Sequence, residues 1–99
     1  MAIRSTVEEF VALGPFPASA DAEVDDLNRR QTLLERIARP VSPEEALLLM
    51  RSFGPDDAFG LAWSLLHLIE TAPGGFPLRE QPGAEENEWI RRLWDSAHR

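Results

Sequence analysis

The chain has no cysteine, no lysine and no tyrosine, and its 99 residues include only two histidines. Without cysteine there is no disulfide and no thiolate metal site, so stability must come from the core. Without lysine, all ten basic residues are arginines. They are outnumbered by 17 acids, which leaves a net charge of −7. No basic stripe is present to neutralise phosphates, so nucleic acid is excluded as the expected partner. The longest apolar run, Leu61 to Ile69, is broken by Ser64 and His67. It is far short of the ~20 residues a membrane span needs. The first residues lack the basic-then-apolar pattern of a secretion signal, and a cytoplasmic location is expected.

The usual marks of chemistry are also missing. Gly74-Gly75 follows an apolar stretch instead of opening a helix, the wrong order for a phosphate cradle. Ser64 has no Gly-x-Ser-x-Gly setting. No enzyme activity, cofactor or metal is expected. His67 and Glu70 share a helix face at a spacing used by metal sites and by base–carboxylate pairs. A metal needs further ligands, and the other histidine, His98, is next to the C-terminus. The plainer reading is a histidine with one hydrogen-bond partner.

What the chain does have is helical patterning. Its composition is 43% apolar and 27% charged, as expected of one globular domain over residues 1–99. The spacing predicts an all-α fold, a compact bundle of four to five helices around a buried central one. That central helix is expected over about residues 55–71. It is opened by Pro55-Asp56-Asp57, stopped by Pro73-Gly74-Gly75, and apolar nearly all round. A helix with no wide polar face must be enclosed. Gly60 within it implies the close approach of a neighbour, Trp63 reads as core, and Asp56-Asp57 as charge matched to the helix dipole.

Four further segments follow from punctuation. Ser5 and Glu8 have capping-box spacing, and Gly14-Pro15 ends that first helix. Phe16, between two prolines, reads as an aromatic ring dropped into the core. A second helix is expected from Asp21 to Arg39, capped by Ser19 or Asp21. Its buried stripe is Val24, Leu27, Leu34 and Ile37 or Ala38, interrupted by Gln31, and Asp25/Arg29 and Asp26/Arg30 stand four apart. A third helix opens with Ser42-Pro43-Glu44-Glu45, the strongest local signal, and closes at a left-handed Gly54. After a Pro/Gly-rich loop anchored by Phe76 and Leu78, a fifth runs from Ala84 to Ala97 with Trp89, Ile90, Leu93 and Trp94 as its stripe.

Two groups of acids stand out. Asp21, Glu23, Asp25 and Asp26 form one; Glu80, Glu85, Glu86 and Glu88 form the other. Such runs are solvated faces or docking surfaces for a basic partner. Trp89 and Trp94, five apart on one helix, do not both fit one core, and an exposed one marks a partner or dimer surface. The predicted partner-binding set is therefore Asp21, Glu23, Asp25, Asp26, Glu85, Glu86, Glu88 and Trp89.

The stretch FGPDDAFGLAWSLLHLIETAPGG, with PVSPEEALLL before it, resembles small acidic helical proteins of GC-rich bacteria that have no assigned activity; some proteins of this size and charge are immunity proteins that neutralise a toxin. The resemblance implies a non-enzymatic, immunity- or antitoxin-like module occupying a basic partner, a toxin or a nucleic-acid-handling enzyme. The alternative is a structural protein that forms a homodimer through its C-terminal helix.

Overall fold

The computed structural model describes residues 3–72, 82–83 and 85–97. The expected anchors Phe76 and Leu78, together with Glu80 and His98, lie outside the described residues. Five α-helices are present among those described, and no strand.

Helix α1, Ser5–Ala12, buries Val7 and Phe10. The expected box at Ser5 and Glu8 is not made, because Arg4 occupies the cap position and gives no side-chain bond there. The helix stops as expected at Gly14, which has φ of +81° and donates its amide to the Val11 carbonyl. Phe16 then enters the core, edge-on to Phe10 with ring centroids 5.8 Å apart.

Helix α2, Val24–Arg36, is shorter than the segment from Asp21 to Arg39. Ser19–Asp21 closes a separate 3₁₀ turn, and Ser19 caps nothing in α2. The predicted stripe is rotated at its start. Val24 is 71% exposed, whereas Arg30 is buried beside Leu34. The guanidinium explains the exchange. It donates to the Leu13 and Gly14 carbonyls at 3.0 and 2.9 Å, and to Asp26 at 2.8 Å. Those carbonyls are the orphan acceptors at the end of α1, so Arg30 acts as its C-terminal cap from a different helix.

Helix α3, Pro43–Leu49, has the predicted cap. Ser42 Oγ accepts from the Glu45 amide, and Glu45 accepts from the Ser42 amide. The same carboxylate also accepts from the Arg4 amide and guanidinium, at 3.0–3.1 Å. Burial alone raises a carboxyl. Here the Arg4 hydrogen bond, the two backbone amides and the Arg4 charge outweigh it and hold Glu45 at about 2. One residue thus caps α3 and ties it to the start of α1.

Helix α4, Leu61–Ile69, packs on α2, α3 and α5, the last spanning Glu88–Ala97. The interior is built on Phe10, Leu49, Leu65, Leu68, Ile69 and Leu93. Helix α4 is the central one, but two expectations for it are corrected. It begins at Leu61, not Pro55, because residues 58–60 have positive φ and cannot propagate a right-handed helix. It is also not enclosed. Trp63, Ser64, His67 and Glu70 form a face that its three neighbours leave uncovered, and Trp63 is 43% exposed.

The two glycines exchange their expected roles. Gly60 is the left-handed residue, at φ +93°, and a Cβ there would meet nothing. Gly54 is the site of close approach, where a Cβ would collide with the Phe16 carbonyl.

Candidate protein-binding surface

The chain between α3 and α4 is the hub of the surface. Asp56 reaches back to the turn before α2. Its carboxylate accepts from the Ser19 amide and hydroxyl, each at 2.9 Å, and from the Ala58 amide at 3.0 Å. The backbone bonds from Ser19 and Ala58 hold its pKa below the ordinary aspartate range. Asp56 is therefore a staple between two segments, not a charge inside the first turn of a helix. On the other side of the same loop, Asn87 Nδ2 donates to the Gly54 carbonyl at 2.9 Å. Its Oδ1 accepts from the Trp89 amide at 2.7 Å, which caps α5.

Asp21 follows Ser19 by two residues, and Glu85 and Glu86 directly precede Asn87. The Gly54–Asp57 loop is thus tied to one segment from each acidic group, although the two segments are some sixty residues apart in sequence. Asp21, Glu23, Asp25, Glu85, Glu86 and Glu88 are all exposed. Asp26 differs from its neighbours, since its carboxylate is engaged by the buried Arg30. Glu88 is paired with Arg92 at 3.2 Å, both side chains remaining about half exposed.

Trp89 is not at the surface. It is 3% exposed, stacked on Phe53 at 6.3 Å and set at right angles to Trp63 at 4.8 Å. The amphipathic stripe of α5 that suggested a partner contact is instead the stripe that seals α5 onto α4. The same burial removes Trp89 as an anchor for a homodimer. The exposed tryptophan is Trp63, which had read as core. The Arg92 guanidinium lies 5.3 Å from the Trp63 ring and 5.0 Å from that of Trp89, close enough for cation–π attraction to both.

Beside this cluster, a groove of about 470 Å³ runs between α4 and α5, lined by Trp63, His67, Glu70, Arg92 and Asp95 among others. His67 and Glu70 are 3.2 Å apart at its rim. Among the described residues, no three histidine, aspartate or glutamate side chains converge as metal ligands. No described helix is long and apolar enough to cross a membrane.

Sequence reasoning missed Asp56, Asn87 and Trp63 as parts of this surface. Asn87 had a local signal, an asparagine directly before an amphipathic run. The others had none, because Pro-Asp-Asp reads as a helix start wherever it precedes apolar residues. No family model matches the chain, and no curated protein or solved structure matches it either.

Proposed function

We propose that this chain is a non-enzymatic protein-binding module that occupies a basic partner, in the manner of an immunity protein or antitoxin. The observation that carries the reading is the pair of staples Asp56–Ser19 and Asn87–Gly54. They tie a segment from each exposed acidic group to one loop, and Trp63 is exposed on α4, the helix that follows this loop. A surface of that composition favours encounter with a positively charged protein through its field, and an exposed aromatic supplies contact energy once docked.

The test is a titration against a basic protein encoded beside this chain, at low and at high salt. Affinity should fall as salt rises, chiefly through slower association. Reversing charge at Asp21, Glu23, Glu85 and Glu86 together should weaken it further. Salt-independent binding, or no binding, would overturn the reading.

A further inference from the structure

Ala58, Phe59 and Gly60 take φ angles of +46°, +56° and +93° in succession. Glycine does this freely. Alanine and phenylalanine do not, because Cβ crowds the following carbonyl. Ala58 is at least fully buried, so its methyl is used by the core. Phe59 has no such return, being 69% exposed. A bulky aromatic with an unfavourable backbone and a solvated ring is explained neither by local propensity nor by burial.

The surroundings hold it there. Asp56 fixes the Ala58 amide from one side. The Asp57 carbonyl accepts from the Gly60 and Ala62 amides at 2.9 and 3.1 Å from the other. Asp57 is itself exposed, and the two segments stapled to this loop carry the exposed Asp21, Glu85 and Glu86. The ring therefore stands clear of the fold, on a loop that carries the exposed Asp57 and is stapled to two segments bearing exposed acids, as an apolar anchor on an acidic surface does.

We propose that Phe59 is the anchor of the interaction. Its ring enters an apolar pocket on a basic protein whose arginine and lysine side chains meet Asp21, Asp57, Glu85 and Glu86. The partner's charge rests on the acidic-surface reading above; the role of the ring rests on the backbone.

Strain and exposure together make an unusual forecast. Phe59→Asn should raise stability and lower binding at once, because asparagine tolerates left-handed φ. The melting temperature should rise by about 4 °C or more. A random linear-peptide library displayed on phage, selected against the full wild-type chain, supplies the ligands. Enriched peptides should carry net positive charge with an apolar side chain. They should bind Phe59→Asn at least about tenfold more weakly, the loss expected of an interface anchor.

Uncharged peptides that still depend on Phe59 would overturn the acidic-surface reading and leave the anchor standing. Basic peptides that bind wild type and variant alike would do the reverse. A lower melting temperature for Phe59→Asn would overturn the anchor, since the ring would then be serving the fold. Failure to enrich any peptide would overturn both.

Discussion

Glu45→Gln isolates a single buried charge. Glutamine keeps the shape of the side chain and its capacity to complete the cap with Ser42, but it cannot pair as an anion with Arg4. In the fold the carboxyl is at about 2, against an ordinary value of 4.5. That gap corresponds to roughly 3 kcal/mol. Because the folded value is the depressed one, the contribution is fully present above pH 4.5 and is lost as pH falls towards 2. The variant has nothing to titrate at this position. It should be less stable than wild type by about 2–3 kcal/mol at pH 7, a large share of the stability of a small domain. The difference should hold down to about pH 5, then shrink towards pH 2. Urea unfolding of both proteins across that range measures it, and the comparison cancels the other carboxylates, Asp56 included. In an Arg4→Met background the same substitution should cost much less, by the logic of a double-mutant cycle. A gap of constant size from pH 7 to pH 2.5 would refute the reasoning, because the loss would then come from shape and not from charge.

Other substitutions test the packing. Gly54→Ala drives a Cβ into the Phe16 carbonyl and should cost about 2 kcal/mol or more in chemical denaturation. Gly14→Ala meets no neighbour but strains a left-handed backbone, and should cost only about 1 kcal/mol. Trp89→Ala should lose about 3–5 kcal/mol, whereas Trp63→Ala, at a residue 43% exposed, should lose less than Trp89→Ala. Arg30→Met leaves the Leu13 and Gly14 carbonyls without their donors. It should destabilise the protein by about 2–4 kcal/mol, and hydrogen exchange should show the end of α1 opening first.

The legible parts of this protein are those whose causes lie within a few residues. The cap at Ser42–Glu45 is read directly because both of its hydrogen bonds close inside one turn. The stop at Gly14 and the amphipathic stripe of α5 are local in the same sense, and so is the all-helical class. Composition alone decided the absence of disulfides and the sign of the surface charge.

Everything that two distant segments settle between them had to wait for the fold. Asp56 reads as a helix-start charge until Ser19 arrives to bond it, and Gly54 as a left-handed cap until the Phe16 carbonyl closes over it. Arg30 reads as half of an ion pair with Asp26 until α1 presents its unpaired carbonyls. Trp63 and Trp89 carry the same side chain at equally apolar helical positions, yet the packing of α4 against α5 buries Trp89 and leaves Trp63 partly bare. Periodicity states which residues share a helix face; only the position of the neighbouring helices decides which face meets water.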